Sequence, residues 1–153
     1  MNPVIIEKVT GSYPYDLLLL ADPSREFVDE YLLHSDCFVA KSGDTVCGVI
    51  VVRKEEEGRA EIMNLAVDES FQGHGYGKSL LEFICNDWAK SQKIHTLKVC
   101  TGTSSAVPFM LYQKVGFDLM ELDRDYFVRH YPEPIWENGV QCRHRLILEK
   151  KVK

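Results

Sequence analysis

The sequence has 153 residues, 45% apolar and 27% charged, with a formal net charge of −5 and a pI near 5.5. That is the size and composition of one folded domain, and it excludes disordered and collagen-like chains. The acidic balance argues against nucleic acid as a partner, because a phosphate backbone demands a basic footprint; it suits a cationic ligand, or solubility alone.

Val4–Val9 alternates loosely and predicts an opening strand. Tyr15–Ala21 and Arg25–His34 predict two helices broken at Pro23, with Asp22-Pro23-Ser24 as a stop and a new N-cap and Glu26 in the first turn. Cys37–Lys41 and Thr45–Arg53, joined through Ser42-Gly43-Asp44, predict a hairpin. After the charged turn Lys54–Gly58, Arg59–Val67 predicts a strand that completes an antiparallel meander.

The period then changes. Gly75–Ser91 carries Leu80, Leu81, Ile84, Cys85 and Trp88 at the spacing of one buried helical face. Thr96–Cys100 predicts a strand. Ala106–Val115 predicts a helix with Pro108 in its first turn and Gly116 as its C-cap. Phe117–Leu122 and Arg143–Glu149 predict the last strands. Residues 59–100 thus read strand, glycine turn, helix, strand, a crossover that makes its two strands parallel. Asp125–Gly139, with Pro132 and Pro134, reads as one long irregular loop of functional length.

The five cysteines, Cys37, Cys47, Cys85, Cys100 and Cys142, include no C-x-x-C pair, which argues against a disulfide framework and a zinc site. No metal is expected. Cys47, Cys85 and Cys100 sit in apolar runs and read as buried thiols. Met1-Asn2-Pro3-Val4 lacks the features of a signal peptide, and Leu17–Ala21 is too short to cross a bilayer. The expected setting is the reducing cytoplasm, away from membranes.

The chemistry concentrates between residues 65 and 79, where Gln72-Gly73-His74-Gly75-Tyr76-Gly77-Lys78-Ser79 joins a strand to a helix. Glycines let successive N–H groups point outward, and the following helix adds unpaired amides and its positive dipole end. That arrangement binds a phosphate or diphosphate. Lys78 adds charge, or is simply solvated, and His74 projects between two glycines toward phosphate, ribose or solvent. The dinucleotide spacing G-x-G-x-x-G fails by one residue. The triphosphate loop G-x-x-x-x-G-K-S/T fails because Gln72 stands at its first glycine. The pattern Q-x-x-G-x-G is met.

This segment, with its lead-in Asn64-Leu65-Ala66-Val67, resembles the coenzyme A diphosphate loop of the GNAT superfamily of N-acetyltransferases. Leu111-Tyr112-Gln113-Lys114-Val115-Gly116-Phe117 is similar to the family's L-Y-x-K-x-G-F segment at the expected distance, and the tail looks like that of small, poorly characterised bacterial members. The resemblance implies an α/β (α+β) fold, a single domain over residues 1–153. Its mixed, mostly antiparallel sheet would have six or seven strands, flanked by helices and splayed near a bulge. It implies acetyl-CoA as cosubstrate and a primary amine of a small molecule or peptide as acceptor. A homodimer stays open.

The resemblance also implies roles. Leu65, Ala66 and Val67 would lie at a bulge whose freed amides bind the pantetheine arm and polarise the thioester oxygen. Losing one such donor costs about 3–4 kcal/mol of barrier. Gln72 through Ser79 would hold the diphosphate. Tyr112 would protonate the departing thiolate, which a phenol of pKa near 10 can do for a thiol near 8.5. Glu61 would be the base, or else an exposed strand carboxylate, with His130 and Tyr131 as alternatives. The family's pantetheine-contacting Asn is replaced by Gly102-Thr103-Ser104-Ser105, where Thr103 or Ser105 is the candidate substitute. Trp88 reads as core. Tyr13–Leu33 and Asp125–Gly139 are the two segments expected to shape the acceptor pocket, with Trp136 a candidate to line it. A coenzyme A binding module without transfer activity would share the loop but not need Tyr112. A phosphotransferase built on Gly77-Lys78-Ser79 is the third reading.

Overall fold

Val, Ile and Cys crowd the first half of the chain, and in the computed structural model, which describes residues 4–152, they form an antiparallel meander. Met1–Pro3 lie outside the described residues. The meander runs through β1 (Ile5–Val9), β2 (Asp36–Ser42), β3 (Thr45–Lys54) and β4 (Arg59–Val67). Helices α1 (Tyr15–Ala21) and α2 (Arg25–Leu32) cross between β1 and β2. Ser24 caps α2, its Oγ accepting from the Phe27 amide at 3.2 Å.

The second half adds α3 (Tyr76–Phe83), which continues through a π-helical turn (Ile84–Trp88) into α4 (Ala89–Ser91). Then come β5 (Thr96–Gly102), α5 (Ala106–Val115) and β6 (Asp118–Asp123). Beyond these lie α6 (Tyr126–His130), the hairpin β7 (Trp136–Glu137) and β8 (Val140–Gln141), and β9 (Arg145–Lys151). The main sheet has seven strands in the order β1-β2-β3-β4-β5-β9-β6, with β4–β5 its parallel pair. The crossover between them carries α3, as the strand–turn–helix–strand order requires.

Two apolar layers follow from the alternation of the strands. Phe38, Ile50, Val52, Ile62, Leu97 and Val99 meet Leu80, Leu81, Ile84 and Trp88 on one face. Val39, Val49, Val51 and Ala66 meet Leu17, Leu18, Val28 and Leu32 of α1 and α2 on the other. The π turn was not visible in the helical spacing. It leaves Trp88 buried with its indole N–H donating to Asp36 Oδ2 at 2.9 Å.

Two expectations are corrected. Asp125–Gly139 is not an irregular loop but holds α6 and the β7–β8 hairpin. Its turn is Asn138-Gly139, both at positive φ (53° and 76°), the pair that a two-residue hairpin turn favours. The tract escaped the periodicity reading because each element is too short to complete a repeat. The bulge of β4 is not at Leu65-Ala66-Val67. Val51 pairs with Asn64 and Val52 with Ile62, so Met63 is the extra residue, and Leu65–Val67 stay in register with Ile50, Val49 and Gly48.

Candidate active site

The parallel ladder between β4 and β5 runs from Arg59↔Thr96 to Ile62↔Val99 and then stops. Beyond it the two strands part, and a cleft of about 1340 Å³ opens. The N–H groups of a strand turn alternately to its two sides. Asp68 donates to Cys47 O of β3 at 2.7 Å. The Val67 and Leu65 amides therefore turn the other way, into the gap left by β5. It is the lost neighbour, not a bulge at these residues, that frees them. Leu65, Ala66 and Val67 all line the cleft.

Below the gap the glycine turn is built piece by piece. Asp68 Oδ1 accepts from the Ser70 amide at 2.9 Å and closes a short 3-10 turn, Glu69–Phe71. Gln72 Nε2 then donates to Val67 O at 3.1 Å and folds the loop back onto the end of β4. Gly73 and Gly75 take φ of 80° and 89°, the left-handed region closed to most side chains. Gly77 is there for packing instead: a Cβ would lie 3.2 Å from Leu111 Cδ2, where α3 meets α5. The first intrahelical acceptor of α3 is Gly75 O, taken by Ser79 N at 2.9 Å. The amides of Tyr76, Gly77 and Lys78 thus precede the ladder and are free for an anion. Gln72, Gly73, Gly75, Tyr76, Gly77 and Lys78 line the cleft, whereas His74 and Ser79 are outside its lining.

Tyr112 reaches the cleft from α5. It is 5% exposed, its ring edge-on to Phe117 at 6.1 Å between centroids. Burial, with the Cys100 thiol as a minor neighbour, pushes its phenol far above the usual range, so it holds its proton at any physiological pH. Cys100 lines the same stretch and is likewise neutral: burial first, then Glu61, push its thiol up to about 12. A thiol held in its neutral form is a weak nucleophile. Glu61 is not the exposed strand carboxylate that its sequence context allowed. It is 8% exposed, 3.3 Å from Lys98 Nζ and 3.7 Å from Arg53 Nη2, and accepts from Cys100 Sγ at 3.7 Å.

The far wall comes from α1, α2, α6 and the hairpin. His130, Tyr131 and Trp136 line it, Trp136 65% exposed. Thr103 is exposed outside the cleft, its amide donating to His144 O at 3.0 Å. Ser105 lines the cleft, but its hydroxyl donates to Glu137 Oε1 at 2.7 Å, and Asn138 Nδ2 donates to Ser104 O at 2.9 Å. The hairpin therefore fastens the loop where the family places its Asn. Sequence reading did not single out Asp22, Asn64, Tyr126 or Arg145, which also line the cleft. Asp22 was absorbed as a helix stop, though it and Tyr126 fall in the two segments expected to shape the acceptor pocket; Asn64 entered only as the lead-in to the glycine turn, and nothing local marks Arg145.

The profile of the acetyltransferase (GNAT) domain matches residues 33–119. The chain belongs to the GNAT acetyltransferases. It is similar to the uncharacterized N-acetyltransferase YvbK of Bacillus subtilis, with 49% identity over 135 residues that cover 88% of this chain and 86% of that protein. Among solved structures it is similar to an IAA acetyltransferase from Bacillus cereus (TM-score 0.93, 42% identity, covering 98% of this chain and 100% of that one). A GNAT acetyltransferase from Elizabethkingia anophelis with acetyl-CoA bound gives a TM-score of 0.93 at 38% identity, covering 97% and 98%.

This GNAT chain is accordingly an acetyltransferase whose cosubstrate is acetyl-CoA. Its residues fit that molecule. The free amides of Tyr76–Lys78 with the Lys78 ammonium would hold the diphosphate, and the open amides of Leu65 and Val67 would pair with the pantetheine arm. Among the described residues no helix is long and apolar enough to cross a membrane.

Proposed function

We propose that this GNAT acetyltransferase moves the acetyl group to a primary amine of a small molecule or peptide by direct attack. The bound thioester supplies the activated acetyl group. The Leu65 and Val67 amides, fixed before the reaction, polarise its oxygen, as preorganised donors in a water-poor site do best. Tyr112, kept neutral by burial, gives its proton to the sulfur. Glu61, the buried carboxylate beside the gap, takes the proton that the arriving ammonium must lose. Direct attack leaves Cys100 no part, in keeping with its neutral thiol.

The observation that carries this reading is the meeting of Tyr112 with the open β4 amides in one cleft. Five free thiols suit the reducing cytoplasm. Neither membrane nor nucleic acid is invoked as a partner.

The test is thiol release across polyamines, amino sugars, amino acids and peptide N-termini, with wild type and Tyr112→Phe. Wild type is expected to turn over at least one amine, and Tyr112→Phe to lose about 10²-fold or more in kcat with a similar KM. Release no faster than without amine, in both proteins and at every amine, would leave a binding module in place of an enzyme acting on amines.

A further inference from the structure

At the acceptor end of the cleft stands a carboxylate without a cation. Asp22, the C-cap of α1, lines the cleft. Its Oδ1 accepts from Tyr131 Oη at 2.8 Å and from the Ser24 amide at 3.1 Å, and its Oδ2 from Tyr31 Oη at 3.4 Å. A carboxylate offers about four acceptor positions. Three are used here, and the fourth is on Oδ2.

Two other charges that line the cleft already have ionic partners. Glu61 has Lys98 and Arg53, and Arg145 Nη2 has Asp123 Oδ2 at 3.1 Å. Among the described residues Asp22 is in no ion pair.

The network behind Asp22 is closed to solvent and has its donors committed. Asn64 is 4% exposed and lines the same cleft. Its Nδ2 donates to Leu18 O and to Tyr31 Oη, both at 2.9 Å, and its Oδ1 is buried with no donor. Buried polar atoms as a rule have partners. The chain Asn64–Tyr31–Asp22–Tyr131 thus has no spare donor and leaves a position on Asp22 Oδ2 unused, which is the complement of a donor-rich cation.

The surroundings suit a short aliphatic ammonium. Tyr131 packs edge-on to Phe27 at 5.1 Å and against Phe127 at 5.6 Å, with Tyr126 5.2 Å from Phe127. The Arg145 guanidinium already lies 3.9 Å over the Tyr126 ring, so this wall accepts positive charge on an aromatic face.

We propose that Asp22, held by Tyr31 and Tyr131, anchors a second, non-reacting ammonium of the acceptor, so that the preferred acceptor is a diamine or polyamine and not a monoamine. This rests on the amine-transfer reading above. Asp22 is a specificity residue here. The reacting amine lies at the β4–β5 gap, and the methylene chain between the two nitrogens runs along the aromatic wall.

The experiment compares diaminobutane with butylamine, and with diamines of other chain lengths, in wild type, Asp22→Asn and Tyr131→Phe. Both turnover and calorimetric binding to protein saturated with coenzyme A are followed. Wild type is expected to prefer the diamine by roughly tenfold or more in kcat/KM, mostly through KM. Asp22→Asn should bring that ratio toward one, and Tyr131→Phe should fall between. A ratio unchanged by Asp22→Asn overturns the anchor. So does an equal loss of kcat for both amines with loss of the acidic limb of the pH–rate profile, which would make Asp22 the base. If no amine turns over but the diamine binds preferentially and loses that preference in Asp22→Asn, the anchor stands and the transfer reading fails. Absence of both binding and turnover overturns both.

Discussion

Lys98 Nζ lies 3.3 Å from Glu61 Oε1, in register across the parallel β4–β5 pair. Burial works to lower the Lys98 ammonium, but Glu61 and Glu55 outweigh it and the net shift is upward from 10.5. A raised ammonium stabilises the fold fully below its unfolded value and loses that contribution only as pH climbs through the higher folded one, so the pair is intact across neutral pH. Glu61→Gln is expected to lower kcat by about 10²-fold or more while coenzyme A binding, followed by calorimetry, is kept. An unchanged kcat in Glu61→Gln would remove Glu61 from the base's role.

The glycines of the turn should fail in different ways. Gly75→Ala meets no neighbour within 4 Å but must hold a φ of 89°. That strain, about 1–2 kcal/mol, falls on the diphosphate loop. Weaker coenzyme A binding by calorimetry, with little loss of melting temperature, is the expected outcome. Gly77→Ala drives a methyl to 3.2 Å from Leu111 Cδ2 and should lower stability by about 1–3 kcal/mol in chemical denaturation. Reversal of the two phenotypes would contradict the division of labour.

Gln72 acts on the loop through its bond to Val67 O. Gln72→Ala removes a hydrogen bond at an exposed site, worth about 0.5–1.5 kcal/mol, so coenzyme A affinity should drop by about two- to tenfold. Gln72→Glu should be worse, since its carboxylate repels both the Val67 carbonyl and the diphosphate. Equal affinities for the two variants would show that the side chain does not shape the loop.

Asp22 should reveal its cost in stability. Burial raises its carboxyl above the ordinary 3.8, against the opposing bonds from Ser24, Tyr131 and Tyr31. A raised acid contributes stability only below its unfolded pKa and loses it as pH rises through the folded one, so the ionised group weighs against the fold at neutral pH. Asp22→Asn is expected to melt higher than wild type at pH 7, the gap closing as pH drops below about 4. A variant that melts lower at neutral pH would mean that the Tyr31 and Tyr131 hydrogen bonds dominate.

The sequence alone determined the elements whose signals repeat: the meander, the α3 face Leu80-Leu81-Ile84-Cys85-Trp88, the parallel crossover and the glycine turn with its free amides. These depend on local periodicity and on backbone conformations that only glycine accepts readily, so they can be read one segment at a time. Tertiary structure decided what depends on distant partners. Met63 became the extra residue of the bulge because of its pairing with β3. Leu65 and Val67 were freed because β5 turns away. Glu61 was buried between Lys98 and Cys100, and Asp22 was brought to Tyr131, 109 positions along the chain. A cleft wall built from α1, α2, α6 and a hairpin has no period of its own. Its charges and rings are set by which segments the sheet brings together, and that is fixed only when the two apolar layers close.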